Sequence, residues 1–378
     1  YWKNGYIDHE DILFFSYILI KNYPFLLTVL RAKYPYFFVD EFQDTSPVQA
    51  FIIDEIKKKK CVVGVIGDKA QSIYGFQGAQ VSLFEDFKVD QTNFHVISEN
   101  RRSAYQIVTF LNEIRKDIKQ RQYHKKENSP VSILIGERNK AFFKANNDCN
   151  GELTSLSRDN ITSNAMKRDI EENRLDKKLL DKFRETDGNN RRKNFILGLI
   201  QAVELAVNTK YKEAIKEIEY LYKGNEDSKK QALYILSNLI NQYNQFEQGT
   251  LKEFYNILDG VLDESLPGFK KGKPKDFYEN TMYHDLAICA VNIVEDVSKH
   301  ITIHKAKGSE FENVLVIGNK DALNLLKQPD LENNEEQRIF YVAMSRAKER
   351  LFVQFDNLRD EDEKVIKKFY DIDIIRLN

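Results

Sequence analysis

An apolar segment that runs directly into two carboxylates is the first place in this sequence where chemistry could occur. Residues 36–39 (Tyr-Phe-Phe-Val) predict a buried parallel strand, and Asp40 and Glu41 follow it. Open α/β sheets bind their ligands at the carboxyl ends of strands. There Asp40 could hold Mg²⁺ through water, and Glu41 could orient and deprotonate an attacking water, as in nucleotide hydrolysis. An acidic cap at the solvent end of a strand is the alternative interpretation.

Four further segments place polar or aromatic residues beside apolar runs. They are CVVGVIGDKAQSIYGFQGA at 61–79, FHVISENRRS at 94–103, HITIHKAKGSEFENVLVIG at 300–318 and EEQRIFYVAMSRAKERLFV at 335–353. Guanidinium groups bind phosphate in a bidentate manner, and aromatic faces stack on any base. These segments therefore favour a chemical role for the Asp-Glu pair.

Together with residues 34–46, these segments resemble motifs II, III, IV, V and VI of the UvrD/Rep-like superfamily 1A DNA helicases, in the same order. The upstream segment 5–20 also resembles the helix that precedes motif II. The resemblance implies an α/β fold with two RecA-like parallel-sheet domains, the first incomplete, and a mainly helical insertion in the second. It implies an ATP-dependent 3′ to 5′ DNA helicase or single-stranded DNA translocase that uses ATP and Mg²⁺.

The resemblance also assigns residues to the nucleotide. The catalytic set would be Asp40, Glu41, Gln71, Arg102 and Arg346, with Gln71 as the γ-phosphate sensor and Arg346 as an arginine finger within the chain. Lys307 and Gly308 would lie near the phosphates, Glu310 near the ribose, and Arg101 would stack on adenine where the family often has Tyr. Solvent-exposed ion pairing is the alternative for Arg102 and Arg346.

Four residues are assigned to DNA by the same resemblance: Tyr74, Phe76, Thr302 and His304. Tyr74 and Phe76 suit sequence-independent stacking on single-stranded DNA and on single/double-strand junctions. The family usually has Trp at Phe76, Arg at Gln77 and Leu at Ser309. Core packing is the alternative for Tyr74 and Phe76, and a structural histidine is the alternative for His304.

None of the sixteen glycines lies in a GxxxxGK[ST] phosphate loop. The nearest segment, 270–275, has Pro where Ser or Thr would bind Mg²⁺. Position 1 is Tyr and the resemblance begins partway through the first RecA-like domain, so we expect a natural N-terminal part beyond this chain, and no ATPase activity from the chain alone. A degenerate, non-hydrolysing homologue is a competing explanation, but the presence of Glu41, Gln71 and Arg346 argues against it. A non-catalytic DNA-binding or scaffold subunit of a nuclease complex is the alternative function.

The pattern along the chain predicts four segments: 1–94 as the C-terminal part of the first RecA-like domain, 95–149 and 296–378 as two parts of the second, and 150–295 as the insertion. Predicted helices cover 81–87 and 104–114. Predicted strands cover 95–98, the start of 130–141, 300–308, 313–317 and 350–354. In the insertion, apolar stripes at helical spacing begin at Ile196, Tyr211 and Leu233 and predict packed helices.

Composition is compatible with this reading without deciding it. The formal net charge is −1, which neither supports nor excludes DNA binding. Three cysteines without CxxC or Cys/His spacing argue against zinc and disulfides, and predict a reducing, cytoplasmic setting. Compact UvrD-like proteins also resemble helicase subunits of antiphage systems such as Gabija, which pair with a nuclease. That role and general DNA repair both remain open.

Overall fold

The structure is a computed structural model that describes residues 5, 7–59, 61–87, 93–123, 128–150, 152–170, 175–223, 227–269, 272–291 and 298–377. The chain divides into two compact units. The first unit contains Tyr1–Gly136, Lys144–Arg158 and Ile303–Asn378, and the second contains Glu137–Phe143 and Asp159–Thr302.

The first unit alternates helices and strands. Its helices are α1 (His9–Asn22), α2 (Phe25–Lys33), α3 (Pro47–Lys57), α4 (Val81–Glu85), α5 (Tyr105–Ile114), part of α6 (Arg138–Asp148), α16 (Ile303–Ala306), α17 (Lys320–Lys327), α18 (Glu335–Met344) and α19 (Asp360–Phe369). Its strands are β1 (Tyr36–Val39), β2 (Val62–Val65), β3 (Glu99–Asn100), β4 (Arg121–Gln122), β5 (Val131–Ile135), β6 (Leu153–Ser157), β8 (Phe311–Ile317), β9 (Ala347–Phe355) and β10 (Ile372–Arg376).

Strands β1 and β2 form a two-stranded parallel sheet, which we call the small sheet. Phe37 and Val63 pack against a cluster from α1, α2 and α3 on one face. On β1 the alternate residues Tyr36 and Phe38 are 67% and 66% exposed. The prediction of a parallel strand is confirmed and the prediction of a buried strand is wrong, because among the described residues only one face of this sheet is covered.

Five strands of the first unit form a parallel sheet in the order β10-β5-β9-β8-β6, which we call the large sheet. All five residues of β5 are buried, as are the last five of β8 and of β9. Continuously buried, mainly apolar segments of this kind are typical of parallel strands that are covered on both faces. The predicted mixed α/β class with parallel sheets is confirmed.

Most of the predicted elements of this unit are confirmed, with α4, α5, β5, β8 and β9 at or near the predicted positions. The strand predicted at 95–98 is wrong, because the paired residues are Glu99–Asn100, opposite Arg121–Gln122. Val96 and Ile97 are 55% and 80% exposed, so their apolar character reflects no sheet packing. At 300–308 only His300–Thr302 is a strand, since the chain turns into α16.

The second unit is mainly helical, as predicted. It contains α7 (Asn160–Lys167), α8 (Leu179–Thr186), α9 (Asn190–Val207), α10 (Tyr211–Leu221), α11 (Ser228–Asn241), α12 (Tyr243–Phe246), α13 (Leu251–Val261), α14 (Lys273–Asn280), α15 (Tyr283–Ala290), β7 (His300–Thr302) and the first part of α6.

The core of this unit confirms the helices but corrects two stripe positions. Ile196 is fully buried, whereas Tyr211 and Leu233 are 57% and 48% exposed. The buried stripe of α11 consists of Ala232, Ile235, Leu236 and Leu239, which places Leu233 outside it. The boundaries predicted for the insertion stay a prediction.

Within the described ranges, no single helix has the length and apolar character needed to span a membrane. Only the consecutive helices α1 and α2, bent by 109° at their junction, reach those values as a pair.

Candidate nucleotide and DNA site

The small sheet brings two loops together at the carboxyl ends of its strands. Ile66 donates its backbone N–H to Val39 (2.8 Å), and Phe42 donates to Ile66 (2.9 Å). Between these bonds lie Asp40 and Glu41, both solvent-exposed. Glu41 has φ of 53°, a left-handed conformation that is uncommon for a non-glycine residue and is concentrated at functional sites. The backbone therefore presents both carboxylates at the sheet edge where ligands bind.

Gln43 is a fully buried brace beneath these carboxylates, and sequence reasoning missed it. Its side-chain NH₂ donates to Glu41 Oε2, and its Oε1 accepts the backbone N–H of Asp68 at 3.0 Å. Its carbonyl accepts the Ser72 hydroxyl at 3.2 Å. Gln43 thus ties the loop after β1 to the loop after β2, and fixes one oxygen of Glu41. The sequence signal that could have identified Gln43 is a polar residue two positions after the acidic pair.

Gly67 is the residue that lets this brace fit. A Cβ at Gly67 would lie 2.6 Å from Gln43 Oε1 and 2.9 Å from Phe84 Cε2. We expect Gly67→Ala to displace Gln43, leave the Asp68 N–H unpaired and destabilise the fold by about 1–3 kcal/mol. Denaturant unfolding measures this. Gly260→Ala is the control, because its Cβ meets nothing within 4 Å and it lies inside α13. Equal unfolding midpoints for both variants would contradict the close-packing argument.

Four of the predicted site residues converge above the brace: Glu41, Gln71, Lys307 and Arg346. Arg346 donates from Nη2 to Gln71 Oε1 at 2.9 Å. Lys307 Nζ donates to the Gln71 carbonyl at 2.7 Å and lies 3.7 Å from Glu41 Oε2. It also forms an ion pair with Asp44, a partly buried residue that sequence reasoning missed. The loops of the small sheet and the elements of the large sheet therefore meet at one cluster.

The two cations of the cluster, Lys307 and Arg346, are buried, which strengthens their electrostatic interactions. The Arg346 side chain is 2% exposed, and burial, followed by the nearby charge of Arg102, lowers its pKa to about 10. Arg346 therefore remains a cation at neutral pH. Burial raises the pKa of Asp44 even though Lys307 donates to it, and Asp44 Oδ1 has no hydrogen-bond partner among the described residues. The free lone pairs of Asp44 Oδ1 could therefore bind a cation.

Arg102 lies beside this cluster, and Arg101 does not. Arg102 donates from Nε to Glu310 Oε1 at 2.7 Å and from Nη1 to the Ser345 carbonyl at 3.2 Å. The hydrogen bond from Arg102 lowers the pKa of Glu310. Arg101 is exposed, pairs with Glu99 and lies 4.2 Å from the ring centroid of Tyr123. Gly308 is exposed, with φ of 80° in the loop after α16.

Three predicted DNA residues form an aromatic cluster. The ring centroids of Tyr74 and Phe76 are 6.0 Å apart, and those of Phe76 and His304 are 5.5 Å apart. Tyr74 donates its hydroxyl to the His304 carbonyl at 3.3 Å, whereas Phe76 is 69% exposed. Burial, then the charge of Arg158, lowers the pKa of His304, which is therefore neutral at pH 7. Thr302 belongs to the second unit, where it is buried at 6% exposure.

The oxygen donors at this site fit a hard divalent cation. Mg²⁺ takes one or two carboxylates and completes its shell with water and phosphate oxygens. Asp40 and Glu41 are exposed carboxylates, and the unpartnered Asp44 Oδ1 lies in the same loop. The part of the chain that the structure describes contains no cluster of three or more His, Cys, Asp or Glu suited to an all-protein metal site. The site therefore fits an ion that is coordinated mainly by water and by oxygens of a bound ligand.

Comparison with known families agrees with this geometry. Residues 1–92 match the model of the UvrD/REP helicase N-terminal domain, and residues 171–357 match the UvrD-like helicase C-terminal domain. The chain belongs to the UvrD-like superfamily 1 helicases.

Curated proteins that are similar to this UvrD-like chain are named as DNA helicases, and their sequence identity to it is low. It is 24% identical over 436 residues to an ATP-dependent DNA helicase PcrA of Staphylococcus aureus, covering 93% of this chain and 59% of the relative. It is 26% identical over 412 residues to a probable DNA helicase II homolog of Mycoplasma genitalium, covering 93% of this chain and 58% of the relative. The chain thus spans about three fifths of the relatives' length.

Proposed function

We propose that this chain is the larger part of an ATP-dependent 3′ to 5′ DNA helicase or single-stranded DNA translocase. The observation that supports this best is the convergence of Glu41, Gln71, Lys307 and Arg346. A carboxylate base, an amide sensor and two buried cations in one cluster match the needs of phosphoryl transfer, which depends on positioning and on charge stabilisation. The family membership and the helicase names of the relatives support the same activity, and the direction of movement follows the resemblance.

In this proposal each residue of the cluster has one task. Glu41, held by Gln43, orients the attacking water and accepts its proton. Asp40 holds Mg²⁺ through water, and Mg²⁺ supplies charge neutralisation at the phosphates when bound. Gln71 senses the γ-phosphate, while Arg346 and Arg102 stabilise the charge that develops on it. Glu310 binds the ribose, and the Lys307–Gly308 loop and Arg101 contact the phosphates and the adenine.

Lys307 and Asp44 neutralise each other in this structure, which has a consequence for ATP binding. The Lys307 side chain is 6% exposed and its nearest charged partners are Asp44 and Glu41. A bound γ-phosphate would compete with these carboxylates for the ammonium group. We infer that nucleotide binding releases Lys307 from Asp44, so that the ion pair is exchanged when ATP enters.

The proposal requires a phosphate loop from outside residues 1–378. No GxxxxGK[ST] segment occurs in this sequence, the curated relatives are longer, and the small sheet exposes Tyr36 and Phe38 on a face that further structure could cover. We therefore expect purified residues 1–378 to lack Mg²⁺-dependent ATPase activity, because the β- and γ-phosphate charges stay uncompensated.

A phosphate-release assay with and without single-stranded DNA tests this expectation. The longest protein that the gene encodes is the positive control and should show DNA-stimulated hydrolysis. Robust hydrolysis by residues 1–378 alone would overturn the requirement for an external loop. Hydrolysis by neither protein would favour a non-catalytic DNA-binding or scaffold subunit of a nuclease complex, which the missing phosphate loop also fits.

DNA binding in this proposal uses the aromatic cluster. Phe76 offers an exposed ring to a base, while Tyr74 and His304 support it from below. The partners would be single-stranded DNA and single/double-strand junctions. A role in antiphage defence with a nuclease subunit, or in DNA repair, would be distinguished by co-purification of the protein expressed from its own gene neighbourhood.

A further inference from the structure

Arg115 is a buried, ion-paired residue of the first unit that the proposed catalytic cycle does not use. It is the C-cap of α5, and its side chain is 5% exposed. Nη1 donates to Asp68 Oδ2 at 2.7 Å, while Nε and Nη2 donate to the two oxygens of Asp117 at 2.6 and 3.1 Å. The guanidinium carbon also lies 6.0 Å from the ring centroid of Tyr341. All three nitrogens of the guanidinium are therefore engaged.

Asp68 connects Arg115 to the nucleotide cluster. Its Oδ1 accepts the backbone N–H of Ala70 at 3.0 Å, which caps the short helical turn that carries Gln71. Its Oδ2 accepts both Arg115 and the side-chain NH₂ of Gln71, the latter at 2.8 Å. The other end of the Gln71 amide accepts Arg346 at 2.9 Å. A continuous chain of bonds thus runs from Arg115 through Asp68 and Gln71 to Arg346.

Arg115 does not need the bond to Asp68 for the neutralisation of its own charge. A buried guanidinium needs a carboxylate partner, and Asp117, two residues away, already provides a bidentate one. Burial alone would raise the pKa of Asp117, but the hydrogen bond and charge of Arg115 lower it overall. Asp68 is a second carboxylate, 47 residues distant, on the loop that follows the small sheet. The Arg115–Asp68 pair therefore ties α5 to that loop.

We propose that Arg115 is a positioning residue, which fixes Asp68 and through it the γ-phosphate-sensing amide of Gln71. When α5 and the loop after β2 are together, Asp68 orients the Gln71 NH₂, so that Gln71 Oε1 faces Arg346. When they separate, Asp68 loses its buried cation and Gln71 loses a fixed orientation. The Arg115–Asp68 pair thus makes the orientation of Gln71 depend on the contact between α5 and the loop after β2. This inference rests on the proposed ATPase function.

The test compares Arg115→Lys and Asp68→Asn in the longest protein that the gene encodes. Lysine keeps the charge but cannot bind two carboxylates through a fork. We expect Arg115→Lys to lower the DNA-stimulated kcat by about tenfold or more, since misplacing a catalytic group by about 1 Å can cost a hundredfold. The affinity for ADP, which has no γ-phosphate, should be unchanged, and the preference for ATP over ADP should fall.

Lys116→Ala is the matched control, because Lys116 is the adjacent cation but is 67% exposed and pairs with Glu113. It should leave both kcat and nucleotide preference unchanged. Combining Arg115→Lys with Gln71→Ala should lower kcat no further than Gln71→Ala alone, because both changes act through one amide. If Arg115 had a purely structural role, the kcat losses of the two single variants would multiply in the double variant, and ADP and ATP binding would weaken equally.

The outcomes separate this inference from the proposed function. If Glu41→Gln abolishes turnover and Arg115→Lys does not alter kcat or nucleotide preference, the positioning role is wrong and the ATPase assignment stands. If Glu41→Gln leaves turnover intact, the proposed function itself fails. If Arg115→Lys does not fold, Asp68→Asn is the second variant, because it keeps the size of the side chain but removes the carboxylate that accepts both Arg115 and the Gln71 NH₂. An unchanged kcat and nucleotide preference in Asp68→Asn would overturn the proposal.

Discussion

Replacing Glu41 by Gln should reduce ATP turnover by about a hundredfold or more in the protein that carries its phosphate loop, while ATP binding persists. Gln has the size of Glu but cannot accept the proton of the attacking water. The left-handed backbone of Glu41 and its contact with the Gln43 amide hold this side chain at the carboxyl end of β1. Single-turnover hydrolysis and binding of a fluorescent ATP analogue measure the two effects separately.

Two controls make the Glu41 result interpretable. Glu361→Gln changes an exposed carboxylate at the first turn of α19 and should leave turnover unchanged. Gln43→Leu removes the hydrogen bond from Gln43 to Glu41 but keeps the Glu41 carboxylate as the base, so a smaller loss of turnover is expected. Parallel loss of binding and turnover in Glu41→Gln would show that Glu41 supports the loop rather than the chemistry.

The sequence predicted the elements of this fold best where apolar runs were continuous. All of β5 and the last five residues of β8 and of β9 are buried and mainly apolar, so the sequence predicts these strands without tertiary information. The burial of β1 could not be predicted in the same way, because exposure of Tyr36 and Phe38 depends on which neighbours the sheet has. Val96 and Ile97 look like a strand for the same local reason, and no described strand pairs with them.

The site followed a similar rule. Residues named by motif type, such as Glu41, Gln71 and Arg346, converge in the structure. The residues that sequence reasoning missed hold these in place: Gln43 links two loops, Arg338 donates to the Ser72 carbonyl at 2.7 Å, and Arg115 reaches Asp68. Their partners are 25 to 266 residues away in sequence. The spacing of residues within one motif cannot predict hydrogen bonds between residues that are so far apart in sequence.

The second large effect should separate the ATP face of the site from its DNA face. Arg346→Ala is expected to abolish most ATP hydrolysis, because an arginine finger contributes about 10³-fold or more to turnover and its transition-state charge would go unneutralised. Arg346 is buried and contacts Gln71, whereas the aromatic cluster lies on other residues. DNA binding without nucleotide should therefore persist. Arg184→Ala, a 57% exposed arginine in α8, is the control.

The aromatic variants should show the opposite pattern. Phe76→Ala removes a ring that is 69% exposed, and Tyr74→Ala removes its half-buried neighbour, so the double variant should weaken single-strand affinity by about 1–3 kcal/mol per lost stack, on any sequence. Basal hydrolysis should largely remain in Phe76→Ala, because the Phe76 ring contacts Tyr74 and His304. Tyr74→Ala should lower it more, because the Tyr74 ring centroid lies 4.9 Å from Lys307 Nζ in the nucleotide cluster. Tyr220→Ala is the matched control, since Tyr220 is 72% exposed on α10.

Titration of labelled oligonucleotides, together with ATPase rates measured with and without DNA, decides between stacking and packing. Phe76→Ala alone is the sharper variant, because an exposed ring contributes little to stability, whereas Tyr74 also donates its hydroxyl to the His304 carbonyl. Loss of affinity in Phe76→Ala at an unchanged unfolding midpoint would support base stacking. If the aromatic variants and Arg346→Ala all lose DNA binding, hydrolysis and thermal stability together, these side chains are packing elements, and the separation into two faces is wrong.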